Sequence, residues 1–174
     1  SQKLYYNPNP NLSVLVYGSS FFMNTYDLIQ DMTFSQARDW TAGTKVTYHV
    51  KDWFSVTGSL HADFYDRFKR HERIDKRQKD YESSIYQPRL TVTSNYFNGH
   101  SLILGMEHTS DELTSDRFSG NANHDLKTRA LKETEYFLQD EWTINPRWMI
   151  SAGIRTNFSK AFGFMGMPKV AAKY

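Results

Sequence analysis

The chain has 174 residues, a formal net charge of +2 and no cysteine. The missing cysteines exclude disulfides, thiolate metal sites and a cysteine nucleophile, and so small a net charge disfavours a nucleic-acid binder, which usually carries a strong, clustered cationic excess. The longest uninterrupted apolar run is residues 14–17. A transmembrane helix, which needs about 20 such residues, is therefore excluded, whereas a membrane-spanning strand, which alternates apolar and polar residues, is not.

The elements come as strands, because apolar and polar residues alternate along most of the chain. A first strand over about residues 12–26 has no clear parity. Residues 40–50 and 54–64 then alternate cleanly, with Trp40 and Leu60 among the apolar positions. Weaker alternation follows over residues 89–96, 101–108 and 135–144, clean alternation returns over 148–158, and a short strand covers 169–174. The pattern predicts about eight strands.

The connections between these strands fall into two classes. Residues 51–52, 98–99 and 145–146 form tight turns, whereas long polar stretches occupy residues 27–39, 70–86 and 110–129, with a shorter one at 159–167. Short turns at one end and long loops at the other are typical of an all-β, antiparallel transmembrane β-barrel, with periplasmic turns and extracellular loops. Soluble sandwiches use strands of about five or six residues, shorter than these. The sequence thus predicts a location in the bacterial outer membrane.

In such a barrel the apolar positions face lipid and the polar positions face the lumen. We expect the second group to include Lys45, His49, His61, Asp63, Glu135, Gln139, Glu141 and Arg155. A structural role is the favoured interpretation for these residues. Arg155 can pair with Glu135 or Glu141 across a hairpin, since facing residues of paired strands interact. The alternative for the His and Asp residues is a metal pair or a proton relay.

Three motifs resemble a known family. Residues 135–142 read EYFLQDEW, residues 145–148 read NPRW and residues 151–155 read SAGIR. This hairpin resembles one in TonB-dependent outer-membrane receptors, where a strand ending in aromatic-x-Gln-Asp-Glu is followed by a short turn and a strand with Gly-hydrophobic-Arg. Residues 168–174, PKVAAKY, look like the next strand of that family.

The resemblance implies a 22-stranded barrel, closed by a plug, that imports siderophores, haem, cobalamin or glycans with energy from the TonB complex. Because the chain shows about eight strands and no plug-like stretch, we interpret residues 1–174 as one segment of a barrel domain. Its expected partners are outer-membrane lipid and lipopolysaccharide, the rest of the barrel and the plug, TonB through the plug, and a small-molecule ligand; no nucleic acid is expected. The alternatives are a complete eight-stranded outer-membrane barrel with a structural or adhesion role, and a soluble barrel that binds a small apolar ligand.

Ligand contacts are expected where the long loops converge. The candidates are Phe118, Phe162, Phe164, Met165 and Met167, because aromatic rings and thioethers could stack on a corrin, porphyrin or siderophore. Rings that anchor the outer membrane interface are the competing interpretation. No nucleophile–base order, P-loop or Gly-x-Gly-x-x-Gly occurs, so we expect neither enzymatic activity nor a resident cofactor.

Two charged segments have an ordinary and a functional interpretation. Residues 69–80 mix cations with acids, which favours a solvated loop over a site for an anionic ligand or lipopolysaccharide phosphate. Asp111, Glu112 and Asp116 contain the oxygen ligands that Ca²⁺ prefers, but without EF-hand spacing they are best interpreted as a polar loop. We therefore predict no metal site.

Overall fold

A computed structural model describes residues 1–27, 33–71, 76–115, 118 and 127–174 of the chain. These residues form one antiparallel sheet in which each strand pairs with the next along the chain. No helix in this part of the chain is long and apolar enough to cross a membrane. The strands are β1 (Gln2–Asn9), β2 (Leu12–Asp27), β3 (Thr33–Lys51), β4 (Phe54–His71), β5 (Lys76–Ser94), β6 (His100–Ser115), β7 (Lys127–Asn145), β8 (Trp148–Ser159) and β9 (Gly163–Lys173).

The sheet is an open meander rather than a closed barrel. Its order runs from β1 to β9 without a crossover, and within the described residues β1 pairs only with β2 and β9 only with β8. The predicted all-β, antiparallel architecture is confirmed, but the described part of the chain forms nine strands where the sequence predicted about eight. A closed eight-stranded barrel is not the arrangement that these strands form.

The additional strand is β1, which the alternation did not reveal. Its side chains are exposed along its whole length, so its sequence does not show the alternation that a half-buried strand would have. Its pairing with β2 supplies the hydrogen bonds that hold it, from Gln2 opposite Gly18 to Asn9 opposite Leu12. The turn between the two strands is closed by Asn9, whose side-chain Oδ1 accepts a 3.0 Å hydrogen bond from the Asn11 amide.

The turns after β1, β3, β5 and β7 lie at one end of the sheet, and the three-residue turn after β8 lies at the other end. After β7, Asn145 Oδ1 accepts hydrogen bonds from the amides of Arg147 and Trp148, at 2.9 and 3.0 Å. Before β6, Gly99 has a φ of 78°, a backbone conformation that favours glycine. The turn predicted at residues 98–99 is confirmed, whereas the turns predicted at 51–52 and 145–146 each lie one residue later, at 52–53 and 146–147.

The long loops predicted at the other end are wrong in extent, because the strands continue into them. The strand β2 reaches Asp27 and β3 begins at Thr33; β4 reaches His71 and β5 begins at Lys76; β6 reaches Ser115 and β7 begins at Lys127. These strand extensions are mostly polar, and their few apolar residues do not continue the apolar–polar alternation by which a strand is recognised. Their backbone hydrogen bonds come from the neighbouring strand, whatever the side chains are.

The fourth predicted loop, residues 159–167, is also wrong. Only residues 160–162 form the turn, and β9 begins at Gly163, which has a φ of 78°. The glycines and methionines of this segment suggested a flexible loop, but its residues pair in register with β8, from Phe158 opposite Phe164 to Met149 opposite Lys173.

The two faces of the sheet differ in chemistry. One face is apolar and its large side chains are exposed, among them Trp40, Leu60 and Ile154. Aromatic rings border this face at both ends. Near the short turns Trp53 contacts Tyr96 and Trp148 contacts Tyr174, with ring centroids 4.9 and 4.8 Å apart. The row at the other end consists of Phe22, Trp40, Phe64 and Tyr86, which meet edge to face in two pairs.

The spacing of the two aromatic borders matches a membrane. The strand β4 runs from Phe54 to Phe64 between them, which is about 33 Å of strand at roughly 3.3 Å per residue. With a tilt of about 40°, that length projects to a height of about 25 Å, the height of the apolar band of an outer-membrane barrel.

The polar face as candidate functional site

The strand registers place the predicted polar residues on one face of the sheet. On β3 and β4, Lys45 lies opposite Ser59, and Asp63 lies opposite Thr41. On β7 and β8, Glu141 lies opposite Ser151. The structure brings the eight residues together as two groups of four, separated by β5 and β6: Lys45, His49, His61 and Asp63 in one group, and Glu135, Gln139, Glu141 and Arg155 in the other.

The first group is held by hydrogen bonds from neighbouring strands. His61 Nδ1 lies 3.0 Å from the Tyr17 hydroxyl on β2, and Thr41 donates a 2.8 Å hydrogen bond to Asp63. The Tyr17 ring lies over Gly43, where a Cβ atom would overlap it. Because His61 bonds Tyr17 and not Asp63, these contacts support a structural role more than a metal pair. Sequence analysis missed Tyr17, since the parity of β2 was unclear.

Two residues of the second group, Gln139 and Arg155, line a groove of about 340 Å³ across β5–β9. Arg155 forms an ion pair with Glu135, the first of its two predicted partners. Gln139 donates a 3.0 Å hydrogen bond to Glu141 on its own strand. The polar face is therefore largely paired within the wall, as its structural interpretation predicted.

The groove also contains residues that the sequence did not single out. The Arg89 guanidinium lies 4.9 Å from the centre of the Phe137 ring and 3.6 Å from a Glu107 carboxylate oxygen. The Phe137 ring rests over Gly105, where a side chain would overlap it. Met167 and Lys169 close the groove on β9. These contacts depend on the registers of β5–β7, which single-strand patterns do not show.

A third cluster lies on the same face, beyond the distal aromatic row. Asp80 is only 3% exposed, and its carboxylate contacts Arg67 at 2.9 Å and Lys69 at 3.0 Å. Asp80 is the extra residue of a bulge in β5, because Arg67 lies opposite Tyr81 and Phe68 lies opposite Lys79. Burial would raise the pKa of the Asp80 carboxyl, but hydrogen bonds and charges from Lys69 and Arg67 outweigh it, so the pKa lies below 3.8.

The expected ligand-binding residues do not lie together at one place in the structure. Phe118 packs against the Arg129 guanidinium at 4.4 Å, and Phe162 lies in the turn with 72% of its surface exposed. Met165 and Met167 lie on the polar face, opposite Asn157 and Arg155. Phe164, expected in a loop, lies instead on the apolar face of β9, where its ring centroid is 4.9 Å from that of Phe158.

The charged segments contain no described metal cluster. Asp111 and Glu112 are neighbours on β6 and therefore point to opposite faces of the sheet, and Asp116 lies outside the described residues. Within the described part of the chain, no three His, Asp or Glu side chains are close enough together to hold a metal ion. The predicted loop at residues 69–80 is largely strand, although residues 72–75 also lie outside the described part.

A family model described as "TonB dependent receptor-like, beta-barrel" matches residues 2–174, which is nearly the whole chain. The chain belongs to this family of TonB-dependent receptor barrels. A search among curated proteins gives no match.

Membership in the TonB-dependent receptor family accounts for the two-faced sheet. The family is located in the bacterial outer membrane, and it is a family of receptors and transporters rather than of enzymes. It also implies interaction with TonB and with a plug domain. The resemblance drawn from residues 135–155 and 168–174 is thereby confirmed.

Proposed function

We propose that this chain forms part of the wall of an outer-membrane importer for a scarce nutrient, with its polar face lining the lumen. The observation that carries the proposal is the separation of the two faces. One face is apolar between two aromatic borders that lie about 33 Å apart along β4, and the other carries paired polar groups such as Arg155 and Glu135. A lipid environment on one side and water or protein on the other is the arrangement in which both faces are stable.

The remaining partners follow from this orientation. Backbone groups at the free edges of β1 and β9 need partners in hydrocarbon, where an unpaired group costs several kcal/mol. The rest of the barrel supplies them, so residues 1–174 act as one segment of a barrel domain. The plug packs against the polar face, and TonB acts on the wall through the plug. Outer-membrane lipid and lipopolysaccharide cover the apolar face.

Ligand contacts belong to the end of the sheet opposite the short turns. Phe118, Phe162, Met165 and Met167 are the residues that we propose for this role. Phe162 is exposed in the turn, and Met165 and Met167 lie on the polar face. Exposed rings and adaptable thioethers can contact a siderophore, haem, cobalamin or glycan.

The orientation of the faces can be tested by spin labels at two neighbouring positions. A label at Leu60 is expected to be accessible to oxygen in hydrocarbon, and a label at His61 to be accessible to a water-soluble relaxant. The receptor is measured in lipid vesicles, with a label at Trp53 as the interface reference. The opposite order would reject the lumenal assignment of the polar face, and with it the importer wall.

A further inference from the structure

An acid–imidazole pair, formed by His100 and Asp140, lies on the apolar face of the sheet near the short turns. His100 is the first residue of β6 and lies opposite Trp142 on β7. Asp140 lies two residues before Trp142, and therefore on the same face. Farther along this face the strands pair Leu104 with Leu138, whose side chains are exposed. A carboxylate is thus placed between the aromatic border and the apolar band.

The pair contacts the indole of Trp142. His100 Nδ1 lies 2.8 Å from Asp140 Oδ2. The imidazole ring is stacked on the Trp142 ring, with centroids 5.3 Å apart and planes inclined by 9°. The second carboxylate oxygen, Asp140 Oδ1, is enclosed and has no hydrogen-bond partner within the described part of the chain. An enclosed carboxylate with an unpartnered oxygen is stabilised by a neighbouring positive charge.

Other charged groups face away from the pair. On β7, Glu141 adjoins Asp140 along the chain and so points to the polar face. On β8, the residue opposite Asp140 is Ala152. On the side of β5, the phenol of Tyr96 approaches only through the ring of Phe97, and a phenol does not titrate between about pH 5 and 8. Within the described residues, the imidazole is the one basic group at ion-pairing distance from Asp140.

We propose that His100, Asp140 and Trp142 form a pH-dependent latch between β6 and β7, which closes when His100 takes up a proton. An imidazole changes its charge between about pH 5 and 8, a range in which a carboxylate stays ionised. The imidazolium attracts the Asp140 carboxylate and also the face of the Trp142 ring. Loss of the proton removes both attractions, so the latch stabilises the barrel at low pH and weakens as the pH rises.

The latch goes beyond import, because it needs neither a ligand nor TonB. In the proposed orientation it lies at the periplasmic end of the wall, where it responds to the pH of the periplasm. It depends on an apolar face that meets lipid, and the spin labels at Leu60 and His61 test that orientation separately. A failure of the latch would appear only in the dependence of stability on pH, so the two outcomes are distinguishable.

The test is urea unfolding, at about pH 5.5 and about pH 8, of the receptor that carries this chain in phosphatidylcholine vesicles. The variants are His100→Gln and Asp140→Asn. The matched control is His108→Gln, the same change on the same face of β6, where the partner of the ring is the neutral Thr134 hydroxyl at 2.9 Å.

The measured quantity is the unfolding equilibrium constant at the higher pH divided by that at the lower pH. We expect this ratio to fall about threefold to tenfold in His100→Gln and in Asp140→Asn, the size of one partly exposed ion pair with a cation–π contact. The control His108→Gln should keep the ratio of the parent receptor.

Tryptophan fluorescence of the folded receptor gives a second measurement that does not require unfolding. A protonated imidazole in contact with an indole quenches its emission, so emission of the parent should rise between about pH 5 and 8. Trp142→Phe should remove that rise. The latch is refuted if Trp142→Phe retains the rise, or if His100→Gln or Asp140→Asn retains the stability ratio of the parent. An equal fall of the ratio in His108→Gln would refute the assignment to this pair.

Discussion

Replacing Leu60 by arginine tests whether the apolar face meets hydrocarbon. Leu60 is 45% exposed on that face of β4, between Thr44 and Pro88 of the neighbouring strands. From the strand rise and tilt, it lies within about 3 Å of the midpoint between the aromatic borders. An arginine on the lipid face at the bilayer midplane costs about 2–4 kcal/mol. We therefore expect Leu60→Arg to reduce the free energy of unfolding by that amount.

The matched control is Thr57→Arg, on the polar face of the same strand. Ser59 is a poorer choice, because it lies between Lys45 and Arg89, and a third cation there would add repulsion. Thr57 faces Thr47 and Thr91, and its loss removes a 3.1 Å hydrogen bond to Thr47, which is worth about 1 kcal/mol.

The assay is reversible urea unfolding from phospholipid vesicles, followed by tryptophan fluorescence. We expect Leu60→Arg to lower the free energy of unfolding by at least about 1 kcal/mol more than Thr57→Arg does. Equal losses, or a larger loss for Thr57→Arg, would show that the apolar face does not meet lipid.

Two further predictions concern packing and uptake. Gly43→Val should destabilise the barrel by about 1–3 kcal/mol, because the valine side chain would overlap the Tyr17 ring. The control Gly58→Ala has no atom near its Cβ position and should be close to neutral in the same urea assay. A neutral Gly43→Val would contradict the packing of Tyr17 on Gly43. Phe162→Ala should lower ligand uptake by cells, normalised to receptor abundance in the outer membrane. Phe164→Ala removes a contact with Phe158 on the apolar face and should leave uptake unchanged. Reduced uptake in Phe164→Ala alone would show that Phe164, and not Phe162, contacts the ligand.

Alternation revealed the strands only where one face is apolar. Residues 40–50, 54–64 and 148–158 lie between the aromatic borders, and there each side chain has to match lipid or a polar surface. Their parity could be read from one strand at a time. The sequence left Glu135 and Glu141 open as partners of Arg155, and the structure shows the pair with Glu135. The mostly polar extensions of β3–β7 and the exposed strand β1 carry no such constraint, which explains why they were interpreted as loops or missed.

Residue contacts between strands depended on register. Examples are the packing of the Tyr17 ring over Gly43, the Arg89–Phe137 contact and the burial of Asp80 beside Arg67. Shifting a pairing by one residue would exchange the two faces, so none of these contacts is visible in a single strand.

The amino-acid sequence alone determined that the protein is an outer-membrane β-barrel protein. Each membrane-spanning strand must present apolar side chains to lipid on one face, which produces the period of two and the grouping of short turns in the sequence. Tertiary structure decided the number of strands, the true length of the connections and the position of Phe164 on the apolar face. The physical reason is that backbone hydrogen bonds between strands form whatever the polarity of the side chains. A strand can therefore continue alongside its neighbour where its side chains do not alternate between apolar and polar.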